Sequence, residues 1–423
     1  MLTRVYGVAF ETKQELEDYL KMLEEAEKRD HRKLGKELDL FSFHEEGPGL
    51  PFWHPKGTII YNELKNHIRK ENEKRGYGEV MTPVMLNKNL WVTSGHWDKL
   101  RDNMYFSKID DQDIAIKPMN CPGGALIYKE SQHSYRDLPL RYSEFGLVHR
   151  HELSGVLHGL LRVRAFTQDD AHSYCAPEQL NNEIVGMVGY ALETYKTFNF
   201  HEYDIFIATK PEKHIGDDNM WEAATNALIE SLKEKGLEYE TKEGEGAFYG
   251  PKIEFNIKDA IGRNWQMGTI QVDLSMPGRL GAQYTDKDGG KKTPIMVHRA
   301  ILGSLERFIG VLIEHYAGAF PAWLSPVQVL VIPVGEKFNA YGEKVLAELK
   351  NAGIRAETDA SSETLGKRIR AGKTQKIPYL LVVGEKEKEA GTVAVNFRDK
   401  KEQETMPIAQ FAALVKKEIG EKK

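Results

Sequence analysis

The segments RYSEFGLVHRHELSG (residues 141–155) and LHGLLRVRAFTQDDAHSY (residues 157–174) carry the densest chemistry of the sequence. Four arginines interleave there with aromatic and apolar residues: Arg141, Arg150, Arg162 and Arg164. This pattern predicts an anion-binding sheet surface, because a guanidinium offers phosphate oxygens a planar, permanently charged fork. Surface ion pairs are the alternative, since most arginines lie in solvent.

A polar cluster ends the otherwise apolar strand predicted in the second segment. Its members are Gln168, Asp169, Asp170 and His172. Such a cluster suits recognition of an amine or a metal ion. Cys121 and His298 lie far from it along the chain, so spacing alone does not predict a metal site, and a buried thiol and core histidines are the commoner interpretation.

The flanking sequence divides into three parts. A capping box at Thr12 and Glu15 predicts one connector helix over residues 12–33. Alternating stretches and amphipathic helices over about residues 40–323 predict an antiparallel sheet flanked by helices. Alternating strands and helices after that point predict a small α/β domain with a largely parallel sheet. We therefore expect an α+β protein with a connector at residues 1–35, a larger domain at 36–323 and an α/β domain at 324–423.

Composition bounds the possible classes of protein. A chain of 423 residues is expected to form two or three domains. Its net charge of -5 means that a polyanion must be bound by local basic patches. Two cysteines indicate a reducing compartment, and neither a signal peptide nor a bilayer-spanning apolar run is present in the sequence. The sequence predicts a cytoplasmic protein with no membrane contact.

Three motifs in order resemble those of the class II aminoacyl-tRNA synthetases. EKRGYGEVMTPVM (residues 73–85) resembles motif 1, the two segments above resemble motif 2, and VHRAILGSLERFIG (residues 297–310) resembles motif 3. Within that class, MNCPGG (residues 119–124) and GEGAFYGPKIEF (residues 244–255) resemble the threonyl-tRNA synthetase family. The resemblance implies ligation of L-threonine to tRNA(Thr) with ATP through a threonyl-adenylate, and a homodimer formed through motif 1.

The resemblance also implies one zinc ion per chain, held by Cys121, His172 and His298. Three protein ligands leave a coordination position open, which is typical of a working metal site. An open zinc that takes the amino group and the hydroxyl of threonine rejects valine, which an apolar pocket excludes only weakly. Serine carries both groups, so the zinc site does not exclude it. Many relatives have an N-terminal region that hydrolyses Ser-tRNA, and we expect this chain to be a short form without that region.

The motif match implies an ATP site in which magnesium bridges the phosphates. The residues implied are Arg150, Glu152, Arg162, Phe166, Gln266, Thr269 and Arg307. Arg150 would bridge the α-phosphate and the threonine carboxylate, while Arg162 and Arg307 would contact the γ-phosphate. Glu152 would accept from the adenine amino group, and Phe166 would stack on the base, with a core aromatic as the alternative.

For threonine, the match implies a pocket of Met119, Gln168, Asp170, Tyr249 and Gln271. Asp170 is the expected partner of the ammonium group. Lys252 would steady the activated carboxylate or phosphate, with a solvated lysine as the alternative. His96 would lie near the terminal ribose and assist proton removal with a near-neutral pKa, although a structural histidine is the alternative.

The C-terminal domain is expected to contact tRNA. TLGKRIRAGKTQK (residues 364–376) carries five basic residues: Lys367, Arg368, Arg370, Lys373 and Lys376. Such a helix suits RNA phosphates, with a solvated helix face as the alternative. The expected tRNA-binding residues are Lys376, Glu387, Asn396 and Arg398, the last three by contacts with unstacked bases.

Three other functions compete with this interpretation. A synthetase-like paralogue without catalysis would not need Arg150, Arg307 or the three ligands. A class II enzyme for serine or proline differs in metal content and in the amino acid that supports pyrophosphate exchange. An RNA-binding protein without activity would bind tRNA and not charge it.

Overall fold

The computed structural model describes residues 7–259 and 262–422. Its N-terminal part consists of helices α1 (Lys13–Arg29) and α2 (His31–Glu37). The predicted capping box is present, because the Glu15 amide donates to Thr12 Oγ1 at 3.2 Å and the Thr12 amide donates to Glu15 Oε2 at 3.1 Å. The single helix expected over residues 12–33 is wrong. Asp30 leaves the helical conformation and caps α2 by accepting from the Arg32 amide at 2.7 Å.

The larger domain is built from strands β1–β16 and helices α3–α10. The strands are β1 (Phe41–Ser42), β2 (Phe52–Trp53), β3 (Gly78–Glu79), β4 (Met85–Asn87), β5 (Tyr105–Ile109), β6 (Gln112–Ile116), β7 (His133–Ser134), β8 (Leu140–His149), β9 (Ala165–Cys175), β10 (Tyr203–Ala208), β11 (Glu240–Lys242), β12 (Lys252–Lys258), β13 (Asn264–Asp273), β14 (Tyr284–Thr285), β15 (Lys291–Lys292) and β16 (Ile295–Ser304). The helices are α3 (Pro55–Lys74), α4 (Lys88–Ser94), α5 (His96–Leu100), α6 (Cys121–Lys129), α7 (Leu180–Thr197), α8 (Asp218–Glu234), α9 (Met276–Arg279) and α10 (Leu305–His315).

The main sheet of this domain has the strand order β11-β10-β12-β13-β16-β9-β8-β3. Neighbours from β10 through β8 pair antiparallel, whereas β11 and β3 join the edges in parallel. The predicted antiparallel sheet flanked by helices is confirmed. Leu34 of α2 is buried in the core of this domain, so the expected limit at residue 35 falls inside a helix that packs with the larger domain.

The two faces of the main sheet differ because side chains alternate along each strand. In β12, Ile253, Phe255 and Ile257 join the apolar core that α3, α7, α8 and α10 also build. Lys252 and Glu254 point to the other face, which carries the polar residues of the predicted site. Burial of the apolar face therefore fixes which residues of each strand reach the site.

The C-terminal domain contains strands β17–β21 and helices α11–α14. They are β17 (Val329–Pro333), α11 (Asn339–Asn351), β18 (Ala356–Thr358), α12 (Leu365–Thr374), β19 (Tyr379–Val383), α13 (Glu385–Ala390), β20 (Thr392–Phe397), β21 (Gln403–Pro407) and α14 (Ile408–Glu421).

The sheet of this domain is mixed, with the order β18-β17-β19-β20-β21. Strands β18, β17 and β19 are parallel, but β20 and β21 are antiparallel to their neighbours. The expectation of a largely parallel sheet is therefore wrong for this half. The short turn after Phe397 forces a hairpin, because parallel strands need a longer crossover.

Polar contacts join the two domains. Arg355 Nη1 pairs with Glu63 Oε1 of α3 at 2.7 Å, and its Nη2 donates to the Trp323 carbonyl at 2.7 Å. Gln375 accepts from Lys56 Nζ at 2.9 Å and donates to the Glu37 carbonyl at 3.0 Å. The start of the C-terminal domain is thus tied to α2 and α3.

A buried ion pair connects the segment after β3 to the main sheet. Lys117 Nζ lies 2.8 Å from Glu144 Oε1 and donates to Thr82 Oγ1 at 2.8 Å. The same carboxylate accepts from the Thr82 amide at 2.9 Å. Lys117 and Glu144 are 1% and 5% exposed, so removing one partner would strand the other charge away from water.

We expect Lys117→Met to lower the free energy of unfolding by about 3–5 kcal/mol, because the buried Glu144 carboxylate loses its cation. The double variant Lys117→Met/Glu144→Leu should recover more than half of that loss. Urea denaturation followed by circular dichroism measures both. Lys400→Ala, which removes an exposed pair with Glu404 on the surface, is the control and should stay within about 0.5 kcal/mol. A single variant as stable as the unmodified chain would contradict this account.

Candidate active site

A cavity of about 650 Å³ lies on the polar face of the main sheet. Nearly all the residues predicted for ATP and threonine line it. They are Met119, Arg150, Glu152, Arg162, Phe166, Gln168, Asp170, Tyr249, Lys252, Gln266, Thr269, Gln271 and Arg307, together with the candidate ligands Cys121 and His298. One cavity therefore collects side chains that span nearly 190 residues of sequence.

Strand register brings the distant segments together. His298 of β16 lies opposite His172 of β9 and opposite Gln271 of β13. Ala300 lies opposite Asp170, two residues along on the same face. Because alternate residues share a face, Phe166, Gln168, Asp170 and His172 form one row along β9. The row contains every member of the predicted polar cluster except Asp169, which lies on the other face of β9.

Cys121, His172 and His298 converge at one end of the cavity. One ligand atom from each lies within 4.8 Å of the other two, and all three side chains are buried. Cys121 is the first residue of α6, where the helix N-terminus favours a thiolate. Burial raises the pKa of the Cys121 thiol well above its usual value, so a cation beside it is needed to favour the thiolate.

The surroundings of the two histidines fit metal ligation. Among the described residues, no hydrogen-bond partner reaches His172 Nε2, although that atom is buried. Burial lowers the pKa of His172 to about 4, which keeps the imidazole neutral. His298 Nε2 donates to Asp273 Oδ2 at 3.2 Å, and so leaves Nδ1 with a lone pair. A carboxylate that orients a ligating histidine is a recurrent feature of zinc sites.

Asn120 holds the expected ammonium partner in place. Its Nδ2 donates to Asp170 Oδ2 at 2.9 Å. Gly146 in β8 leaves room for this amide, since a Cβ there would lie 2.1 Å from Asn120 Oδ1. The Asp170 carboxylate is thereby fixed at the cavity wall next to the Cys/His cluster.

Arginines concentrate positive charge along the cavity. Arg150 lies over the Phe166 ring at 5.1 Å and donates to the Pro118 carbonyl at 3.2 Å. Arg307 donates to the carbonyls of Leu161 and Gln266 at 2.9 and 2.8 Å. Burial, with the nearby positive charges of Arg162 and Arg150, lowers the pKa of Arg307 to about 10. Mutually repelling guanidiniums held in one cavity are stabilised by a bound polyanion.

Other predicted residues contact each other within the cavity. Arg162 Nε donates to Glu152 Oε2 at 3.1 Å, and Lys252 Nζ pairs with Glu254 Oε1 at 2.6 Å. The Tyr249 hydroxyl contacts Gln271 Oε1, and its ring stacks on His298 with the centroids 4.8 Å apart. Tyr249 thus links the expected threonine pocket to the Cys/His cluster.

Three residues of the initial pattern serve the scaffold instead of the cavity. Asp169 faces the core, where it accepts from the amides of Ile301, Leu302 and Gly303. Arg141 is half-buried and pairs with the buried Glu183 of α7, and Arg164 donates to the Glu152 and Pro48 carbonyls. The anion-binding surface is therefore narrower than the four arginines suggested, because Arg141 and Arg164 are held by groups outside the cavity lining.

His96 lies beside the Cys/His cluster but is fully buried. Its Nδ1 contacts Ser94 Oγ at 2.8 Å, and its Nε2 lies 3.0 Å from Met119 Sδ and 3.7 Å from Cys121 Sγ. Burial and the nearby charges of His298 and Arg150 lower the pKa of His96 to about 3. Burial thus works against the near-neutral pKa expected of a residue that assists proton removal, and the role of His96 near the terminal ribose stays a prediction.

The expected tRNA residues lie in different settings of the C-terminal domain. Arg398 Nη1 donates to the carbonyls of Phe320 and Lys376, which places both Arg398 and Lys376 at the domain junction. Glu387 accepts from the Gly384 amide at 2.9 Å and caps α13. Asn396 lies on β20 opposite Leu380. In the basic helix α12, Arg368 is buried and donates to the Asp359 carbonyl, so it is unavailable to RNA.

Sequence reasoning missed the two residues that orient the site, Asp273 and Asn120. Asp273 lies two positions after Gln271, and the strand period places it on the same face. Asn120 directly precedes Cys121. A search for carboxylates at strand period from the predicted threonine-pocket residues would have found Asp273.

Within the described part of the chain, no helix combines the length and apolar character that crossing a membrane requires.

Comparisons with known proteins agree with the motif assignment. The family described as the tRNA synthetase class II core domain (G, H, P, S and T) matches residues 105–316, and the anticodon binding domain matches residues 328–418. The threonine–tRNA ligase of Carboxydothermus hydrogenoformans is 57% identical over 423 residues, which are 100% of this chain and 67% of that protein. That of Caldanaerobacter subterraneus subsp. tengcongensis is 57% identical over 424 residues, covering 100% of this chain and 65% of the relative.

A solved structure has the same fold over most of both chains. The RNA binding domain of threonyl-tRNA synthetase from Cryptosporidium parvum superposes with a TM-score of 0.89 at 40% identity, covering 92% of this chain and 98% of that one. The present chain spans about two thirds of the length of the curated relatives, between 65% and 67%. By its motifs, its two matched domains and this identity, the chain belongs to the threonyl-tRNA synthetase family within the class II aminoacyl-tRNA synthetases.

Proposed function

We propose that the chain activates L-threonine with ATP and transfers it to tRNA(Thr). The observation that carries the proposal is the convergence of Cys121, His172 and His298 at one end of an arginine-lined cavity. The relatives that it matches are named threonine–tRNA ligases. Ligase activity, rather than a binding function alone, explains why the cavity keeps both Arg150 and Arg307, which a passive RNA-binding module would not need.

Zinc is the metal that the donor set favours, because thiolate with neutral imidazoles matches its preferred ligands. Cys121, His172 and His298 would hold it. When bound, zinc would offer an open coordination position to the amino group and hydroxyl of threonine, and so select against valine. Asp273 would orient His298, and Asp170 would accept from the threonine ammonium.

The arginines would serve the activation step. In that step a threonine carboxylate oxygen attacks the α-phosphorus of ATP, and pyrophosphate leaves. Arg150 lies over the Phe166 ring and interacts electrostatically with Asp170, and from there it would neutralise both reacting anions. Arg307 and Arg162 would hold the leaving phosphates together with Mg²⁺. Glu152, Gln266 and Thr269 would complete the nucleotide pocket.

The proposal also includes a homodimer, contacts with tRNA and a cytoplasmic location. Met81 and Met85 of the motif 1 segment are 87% and 56% exposed, which suits burial against a second copy in a homodimer. Lys376, Glu387, Asn396 and Arg398 stay proposed tRNA contacts, of which Arg398 already serves the domain junction. Cytoplasmic location stays a prediction.

Arg150→Ala should lower kcat for threonine-dependent ATP–pyrophosphate exchange by about 100- to 1,000-fold, because the transition-state charge loses its principal donor. The exchange assay measures this directly. Arg370→Ala is the matched control, since Arg370 is exposed on α12 far from the cavity, and its exchange rate should equal that of the unmodified chain. Exchange with serine, valine and proline in place of threonine tests the substrate. Equal exchange with proline, or an Arg150→Ala rate within threefold of the unmodified rate, would refute the proposal.

Metal analysis of the purified chain should find about one zinc per chain, and Cys121→Ala should lose both the zinc and threonine-dependent exchange. Cys175→Ala is the matched control, because Cys175 is equally buried but belongs to the core on the other face of β9. That variant should keep its zinc. Retention of a full zinc complement by Cys121→Ala would show that these residues are not the ligands.

A further inference from the structure

His31 is a fully buried histidine of the N-terminal helices. It is the first residue of α2 and has no exposed surface. Its Nδ1 lies 2.7 Å from Glu314 Oε1 on α10, and the amide of Leu160 approaches its Nε2 at 3.1 Å. The residue lies outside both matched family regions, residues 105–316 and 328–418. One imidazole therefore connects α2, α10 and the loop between β8 and β9.

These contacts define the tautomer of the His31 ring. An amide N–H can only donate, so Nε2 must be the acceptor and Nδ1 must carry the proton that is donated to Glu314. Asp30, His31 and Glu314 have the spacing of a metal site. Both ring nitrogens are already engaged, however, and the geometry is that of a neutral imidazole clamping two elements.

The loop that His31 holds is a tight turn next to the phosphate end of the cavity. His158 and Arg162 pair across this turn, and the Leu161 amide donates to the His158 carbonyl at 2.9 Å. The carbonyl of Leu161, one residue after the amide held by His31, accepts from Arg307 Nε at 2.9 Å. Displacement of Leu160 would therefore move both an anchor of the Arg307 guanidinium and the backbone that carries Arg162.

Gly159 shows how closely the ring is fitted to the turn. A Cβ at this position would lie 2.1 Å from His31 Nε2, and its φ is +49°. A side chain there would collide with the imidazole and would also strain the backbone. The turn and the ring are therefore matched in shape as well as in hydrogen bonding.

We propose that His31 is a positioning residue for the ATP phosphates, acting through Leu160 and Leu161 on Arg162 and Arg307. The proposal rests on the assignment of this cavity to ATP under the proposed function. Within the described residues, the hydrogen bonds of the His31 ring reach Glu314 and the Leu160 amide and no residue of the expected threonine pocket. Loss of the ring is therefore expected to affect nucleotide binding and to leave threonine binding unchanged.

Steady-state exchange kinetics separate the two ends. In His31→Ala, the KM for ATP should rise about tenfold, within the roughly hundredfold that misplacing a catalytic group by 1 Å can produce. The KM for threonine and the zinc content should stay within twofold of the unmodified chain. His44→Ala, an exposed histidine near the same end of the domain, is the matched control and should change neither KM. Equal changes in both KM values would indicate general destabilisation and overturn the proposal.

Two substitutions that each keep one of the two His31 contacts show which contact matters. In His31→Gln, the amide oxygen can replace Nε2 as acceptor for the Leu160 amide, whereas in His31→Asn the shorter side chain can reach only Glu314. The Gln variant should restore the KM for ATP to within about threefold, and the Asn variant should resemble His31→Ala. An Asn variant as good as Gln would overturn the proposed route through Leu160. The comparison of the Gln and Asn variants also tests the proposal if His31→Ala fails to fold.

Hydrogen exchange and calorimetry give readouts that do not depend on turnover. In the unmodified chain, the Leu160 amide should be protected as strongly as amides of α10, and His31→Ala should remove that protection while α10 keeps its own. MgATP affinity measured by calorimetry should fall about tenfold in the same variant. A rapidly exchanging Leu160 amide in the unmodified chain would overturn the proposal. If the unmodified chain shows no threonine-dependent ATP–pyrophosphate exchange, the proposed function is refuted. Hydrogen exchange at Leu160 and the calorimetric affinity for MgATP would still decide the role of His31.

Discussion

The register between β9 and β16 is the constraint on which the rest of the site depends. It places His172 directly opposite His298, with Gln271 of β13 next in the same line. The register is fixed by burial of the opposite face, because a shift of one residue would turn Val297 and Ile301 toward the cavity and the histidines toward the core. Asp169 reinforces it by accepting three consecutive amides, from Ile301 to Gly303. Hydrophobic burial on one face thus sets the geometry of polar chemistry on the other.

Charge is distributed along the cavity in two zones. At one end, buried imidazoles and a thiol surround a point that suits a cation, with Asp170 and Asp273 as the neighbouring carboxylates. Arg162 and Arg307 line the part of the cavity that suits a polyanion, and Arg150 interacts electrostatically with both zones, with Asp170 in one and with Arg307 in the other. Each zone is electrostatically incomplete without its ligand, since like charges in a low-dielectric cavity repel. Two ligands held side by side, one carrying an amine and the other a polyphosphate, would therefore suit the two zones of the cavity.

The helices outside the matched family regions also shape the site. Asp30 ends α1 and begins α2, and this break turns His31 inward against Glu314 and the β8–β9 loop. An unbroken helix over residues 12–33 would have carried His31 along a different direction. The C-terminal domain joins the same region, because Gln375 bonds to Lys56 and Glu37. Contacts from the larger domain and from the C-terminal domain therefore meet around α2.

The sequence by itself indicated the class of fold and the three motifs, because motifs and strand alternation are local properties of the chain. The family resemblance carried by those motifs implied the three candidate ligands and about half of the residues that line the cavity. The sequence did not determine the break at Asp30, the antiparallel half of the C-terminal sheet or the sorting of Asp169, Arg141 and Arg164 to the scaffold. Those features depend on which face of an element is buried and on what packs against it. Only the tertiary structure decided the partnerships of Asp273 with His298, of Asn120 with Asp170 and of His31 with Leu160. The partners in each case come from different elements, and their contacts exist only once the sheet and its flanking helices have packed.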